Sequence, residues 1–271
     1  MTFGYCASID FIKTQDSTSL QKQIFDAVVA AGYDYVELPL FAISQLTEGE
    51  LEALKGELER IPCRACNIFF PPANSVVGEA FNEEYVNQYL AKMIPIAKSL
   101  GVEVLVFGNG GARNAPEGAN HQSILANIRT ILEIMDKHLA GTGITVVVEP
   151  LNKTETNMVN SYGEAAALVN GLANVKTMVD SYHVAMEQQD YSDVMASPEY
   201  LKHLHTAYPA GRLVPSKQDD ASLYASFVDV VKKTGYNGMI SIEGGLPNCE
   251  KMTVAEKVAE GLSVVKAMFQ G

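Results

Sequence analysis

Short runs rich in β-branched and apolar residues alternate with amphipathic helical stretches from one end of this chain to the other, and no other feature restricts its fold as much. Strands separated each time by a helix-length segment cannot pair as tight hairpins. They have room for crossover connections, so the alternation predicts a parallel βα architecture. The expected strands cover 3–7, 35–38, 64–69, 103–107, 145–149, 176–180, 202–206 and 239–243. Helical patterns cover 19–31, 48–60, 83–100, 121–139, 161–172, 192–201, 221–234 and 253–269. Eight such units with no visible linker predict an α/β fold, a single (β/α)8 barrel over residues 1–271. Gly32, Gly101 and Gly235 stand where helices should end, because glycine tolerates the left-handed cap conformation.

Composition narrows the partners. Asp and Glu number 32 against 20 Lys and Arg, a net charge of −12, which repels polyanions and argues against nucleic acid. No basic start followed by an apolar stretch marks a secretion signal, and no apolar run approaches the roughly 20 residues that span a bilayer. The expectation is therefore a cytoplasmic protein without membrane contact. Cys6, Cys63, Cys66 and Cys249 lie scattered through apolar segments and are expected as reduced, buried thiols. Cys63 and Cys66 form a C-x-x-C, but positions three apart on a regular strand face opposite sides, so the pair is not expected to act together. Composition leaves association into a homo-oligomer open.

Three apolar runs stop at a carboxylate: Val146-Val147-Val148-Glu149, Met178-Val179-Asp180 and Ile240-Ser241-Ile242-Glu243. In a βα barrel the C-terminal strand ends gather at one mouth, where active sites are assembled. His205 is a polar strand end of the same kind. About one βα unit, roughly 30 residues, separates each of the four from the next. They therefore belong to expected strands five to eight, along one wall of the mouth. Any one acid alone is as easily a solvated strand cap. Three brought together repel and raise one another's pKa unless a cation lies between them, so the set points to one divalent metal ion. Oxygen-rich ligation with one imidazole suits Mn²⁺, Mg²⁺ or Co²⁺, and the ligand types do not choose among them.

The same residues resemble the xylose-isomerase-like barrel superfamily, and within it the D-tagatose 3-epimerase (ketose 3-epimerase) and hydroxypyruvate isomerase families. Glu149-Pro150-Leu151-Asn152 with Glu155 is similar to an E-P-L-N-x-x-E motif. Asp180-Ser181-Tyr182-His183 is similar to D-x-x-H, and His203-Leu204-His205-Thr206 to H-x-H. Tyr236-Asn237-Gly238 and Ile242-Glu243 match the approach to the last ligand. The resemblance implies that Glu149, Asp180, His205 and Glu243 are metal ligands and that Glu155, His183 and Arg212 contact substrate. By a weaker match, Glu37 is a further polar group over the mouth. The chain departs from the ketose epimerases between His205 and Arg212, a seven-residue step without their acid, and in Pro215-Ser216-Lys217-Gln218, where P-G-x-G is usual.

The resemblance further implies a sugar isomerase or epimerase acting on a ketose or small hydroxy-ketone by proton abstraction through an enediolate. Glu149 and Glu243 would be the two bases and the metal would polarise the carbonyl. Two rivals remain: a lyase or dehydratase using the same chemistry, such as an inosose dehydratase, and a sugar-binding barrel without catalysis. A multi-metal nuclease of related fold would need more histidines than the five here, and a different charge. Gly108-Asn109-Gly110-Gly111 lacks the Lys-Ser/Thr ending of a phosphate-binding loop and reads as a tight loop.

Overall fold

Side chains along a strand point alternately to the two faces of the sheet, and in this chain that alternation sorts two cores. The computed structural model describes residues 1–270. They form eight strands: β1 (Thr2–Cys6), β2 (Tyr35–Pro39), β3 (Cys63–Asn67), β4 (Val104–Phe107), β5 (Thr145–Val148), β6 (Val175–Asp180), β7 (Leu201–Thr206) and β8 (Met239–Ile242). Neighbours pair in parallel and in sequence order, and β8 pairs back onto β1 to close the barrel. This is the parallel barrel that the alternation predicts.

Outward residues such as Val36, Leu38, Val146, Val148, Leu204 and Ile242 pack in the large core that also holds the buried helix side chains. Tyr35, Ala65, Val104, Val106, Val147, Met178 and Met239 fill the interior. Two residues further along, the inward series turns polar: Tyr35 gives way to Glu37, Ala65 to Asn67, Val147 to Glu149, Met178 to Asp180, and Met239 to Ser241 and then Glu243. The barrel is thus apolar at its base and ionisable at its mouth.

The long helices start where a side chain can cap them. Ser19, Asn82 and Asn120 accept from backbone N–H groups, and Thr47 and Ser161 form reciprocal boxes with Glu50 and Glu164. Gly32, Gly101 and Gly235 adopt the left-handed conformation expected of them. The helix expected over 192–201 stops at Ala196. Pro198 has no N–H to donate and disfavours helix at the residue before it, so Ser197 opens to φ −143° and ψ 53°. Pro198–Tyr200 forms a single 3₁₀ turn and Leu201 already belongs to β7.

The expectation for the C-x-x-C pair is corrected. Val36 pairs with Cys63 and Glu37 with Ala65, so Arg64 is an extra residue bulged out of β3. The bulge returns Cys63 and Cys66 to the same outward face, with their sulfurs 3.8 Å apart. Both are buried free thiols, whereas Cys6 and Cys249 are partly exposed rather than buried. Among the described residues no helix is long and apolar enough to cross a membrane.

Candidate metal centre and its pocket

Asp180 ends β6, His205 lies in β7, and Glu149 and Glu243 each stand one residue beyond β5 and β8. One ligand atom from each of the four falls within 4.8 Å of the others. The imidazole is central. His205 Nδ1 lies 3.2 Å from Glu149 Oε1 and 3.0 Å from Glu243 Oε2, while Nε2 lies 2.9 Å from Glu37 Oε1. An Nε2–H donated to Glu37 leaves the Nδ1 lone pair facing two carboxylates. That arrangement is repulsive unless a proton or a metal ion stands between them. Three carboxylates and one imidazole nitrogen are also the donor set that hard or borderline divalent ions take, so the residues fit a metal. Cys6, Glu37 and His205 also come within reach of one another. Glu37 is already spent on its hydrogen bonds, and burial pushes the Cys6 thiol up, away from the thiolate a metal would need.

The four groups differ in their hold on protons. Burial pushes Asp180 up to about 6 and raises Glu149 as well. Burial also opposes charge on Glu243, but His205 and Arg212 outweigh it and hold its carboxyl well below the usual range. His205 is held well above the usual imidazole range, because Glu37 and Glu243 overcome the penalty of burial.

Around this cluster stand the residues the motifs nominate for substrate. His183 Nδ1 lies 3.2 Å from the Asn152 backbone N–H and 2.8 Å from its side-chain amide, so Nδ1 is the acceptor and Nε2 carries the hydrogen. That Nε2 is buried without a hydrogen-bond partner among the described residues, 3.5 Å from Asp180 Oδ2. Burial lowers the His183 pKa and favours this neutral form. Arg212 spans the outer side of the acids, 2.6 Å from Glu243 Oε2, 3.4 Å from Asp180 Oδ2 and 3.3 Å from Glu155 Oε1. Glu37 is placed otherwise than expected. Instead of reaching over the mouth it is 0 % exposed, with both oxygens engaged by His203, His205 and Ser241.

Several residues of the site have no motif to announce them. A Cβ on Gly108 would lie 1.7 Å from Glu149 Oε2, and one on Gly110 would lie 2.2 Å from the Glu155 carbonyl. What reads as a tight loop is a space kept open for the β5 acid and its loop. Arg113, 0 % exposed, donates to the Phe107 carbonyl at 2.8 Å and to the Glu149 carbonyl, tying the ends of β4 and β5 together. Asn67 donates to Glu243 Oε1 at 3.0 Å, and its own Oδ1 is buried with no partner among the described residues. A cavity of about 520 Å³ opens beside it, lined by Cys6, Ser8, Phe41, Ile68, Arg212 and Glu243 among others.

A parallel βα barrel with three acids and an imidazole converging at the ends of β5 to β8 defines a class of barrels with an oxygen-rich cluster at the mouth suited to a cation. Residues 25–268 match the family model of the xylose isomerase-like TIM barrel, and this chain belongs to that family. A putative hydroxypyruvate isomerase of Streptomyces coelicolor is 27% identical over 240 residues, which cover 80% of this chain and 82% of that one. A D-psicose 3-epimerase of Agrobacterium fabrum is 35% identical over 78 residues, a match limited to 28% of this chain and 27% of that protein. The crystal structure of a D-allulose 3-epimerase from Methylomonas sp. in complex with D-allulose superposes with a TM-score of 0.79 at 20% identity, covering 99% of this chain and 97% of that one.

Proposed function

We propose that this chain is a divalent-metal-dependent sugar isomerase or epimerase that acts on a ketose or small hydroxy-ketone by moving a proton on the carbon beside the carbonyl. The reading rests on one observation above all: Glu149 and Glu243 flank the same His205 nitrogen while their proton affinities are displaced in opposite directions. Two carboxylates so disposed are the parts a two-base exchange requires, one removing a proton and the other returning one. Glu149, Asp180, His205 and Glu243 would hold the metal ion, Mn²⁺ being the first to try. Bound there, it would supply the polarisation that acidifies the neighbouring C–H.

The remaining steps belong to the chain itself. Glu243, kept ionised by His205 and Arg212, takes the proton. The His183 Nε2–H, directed by Asn152, donates to the oxygen on which negative charge develops. Arg212 and Glu155 hold the hydroxyls next to it. Names of relatives, such as hydroxypyruvate isomerase and D-psicose 3-epimerase, support small ketonic substrates. Elimination by the same proton abstraction is the alternative favoured by the loop after β7, which carries no acid between His205 and Arg212.

The test is incubation in D₂O with Mn²⁺ and a panel of D-psicose, L-ribulose and hydroxypyruvate. The expected result is deuterium on the carbon beside the carbonyl in a product of unchanged composition. A dehydrated or cleaved product would transfer the assignment to the lyases. Exchange that persists after verified metal removal would refute the metal-dependent scheme.

A further inference from the structure

Glu37 has no free atom for a substrate, yet it is among the most completely engaged groups in the barrel. Its Oε1 lies 2.9 Å from His205 Nε2 and its Oε2 lies 2.9 Å from His203 Nε2. Ser241 donates to the same Oε2 at 2.6 Å, and Tyr35 OH lies 2.8 Å from Ser241 Oγ. All these side chains are wholly buried. The chain makes room for the arrangement at β1, where a Cβ on Gly4 would fall 2.2 Å from Cε2 and Cζ of the Tyr35 ring. Donors therefore converge on one carboxylate, from Tyr35 through Ser241 and from both imidazoles.

An ionised carboxylate only accepts hydrogen bonds, so Glu37 requires hydrogen on Nε2 of each histidine. His203 bears this out, since its Nδ1 is buried with no hydrogen-bond partner among the described residues. An Nδ1 without hydrogen is an unsatisfied acceptor there, which is less costly than an orphaned N–H. For His205 the same requirement turns the Nδ1 lone pair toward Glu149 and Glu243. We infer that Glu37, steadied by Ser241 and Tyr35, is the positioning residue that fixes the ring and tautomer of His205 so that Nδ1 is presented to a divalent cation. This rests on the metal reading above and adds a residue that neither touches the cation nor meets substrate.

The experiment titrates Mn²⁺ into the full chain and its variants by calorimetry, and records the visible spectrum of the Co²⁺-loaded proteins. Glu37→Gln keeps the size of the side chain but gives it an amide that must donate on one side. It is expected to weaken Mn²⁺ binding about 10- to 100-fold and to shift the Co²⁺ bands, with the circular dichroism of the fold unchanged. Ser241→Ala, which leaves the carboxylate and removes one donor, is expected to weaken binding a few-fold and serves if Glu37→Gln does not fold. Affinity and Co²⁺ spectra equal to wild type in the folded variants would overturn the inference while leaving the metal reading intact. Failure of the wild-type chain to bind Mn²⁺ would remove both.

Discussion

The two walls of the barrel mouth are built on opposite plans. Along β5 to β8, Glu149, Asp180, His205, Glu243, His183 and Arg212 engage one another within about hydrogen-bonding distance, and burial or neighbours displace their proton affinities. Along β1 to β3, the cavity is faced mostly by Ala7, Pro39, Phe41, Ala42 and Ile68, with Asn67 Oδ1 a buried acceptor waiting for a donor. Ile68 is also held at φ 44°, a region a β-branched residue enters only at a cost and one that recurs at ligand sites. The two walls divide the labour. One wall concentrates charge around a single point, and the other offers mostly apolar shape with a few polar groups, Ser8, Asp10 and Asn67.

Substitutions on the charged wall should therefore act on turnover, and the largest effect belongs to the two glutamates. Glu149→Gln and Glu243→Gln are each expected to lower solvent-deuterium exchange by about 10³-fold or more while the fold survives. Near-normal exchange in either would break the assignment of chemistry to this wall. Gly108→Ala comes next, because the added methyl falls on the Glu149 carboxylate. A displacement of about 1 Å should cost about 100-fold in turnover, read as kcat at saturating metal and substrate.

Dependence on pH gives a third measure. Asp180 titrates at about 6 in the fold against an ordinary value of 3.8. The metal-free fold thus binds this proton more tightly than the unfolded chain does. The stability it contributes is full below the unfolded value and is lost as pH rises through the folded one, about 3 kcal/mol by neutral pH. A cation must also displace that proton. His205, held above the usual imidazole range, must give up a proton to the cation as well. Mn²⁺ affinity should therefore fall with acidification throughout, and about tenfold per pH unit more steeply below about 6 than above it. An unchanged slope through that region would contradict a ligand role for Asp180. The smallest effects are expected on the apolar wall. Phe41→Ala should raise KM a few-fold for the preferred ketose and narrow its lead over competitors, with Mn²⁺ affinity unchanged.

The charged wall was largely legible from sequence because strand periodicity and barrel topology place a residue at a strand's C-terminal end at the mouth without further information. Glu149, Asp180, His205 and Glu243 needed only that rule. Glu37 shows its limit. It lies in the middle of β2, so the rule puts it inside the barrel but does not say which side chains it meets there, and only closure of the barrel brings it within 2.9 Å of His203 and His205 on β7. Long-range contacts hid the other supports. Nothing local marks Gly108 as room for an acid some forty residues later, or Arg113 as a clamp on two strand ends. The short helices Leu40–Ser44, Gly110–Arg113 and Ser181–Met186 span too few turns to show a period. The bulge at Arg64 arises in strand pairing, which alternation alone cannot foresee.

The convergence of four side chains on one cation is the claim from which the rest follows, and a Mn²⁺ titration followed by electron paramagnetic resonance reaches it most directly. One ion bound per chain in the wild type, with binding lost in Asp180→Asn, is the predicted result. No binding, or binding indifferent to that substitution, would contradict it.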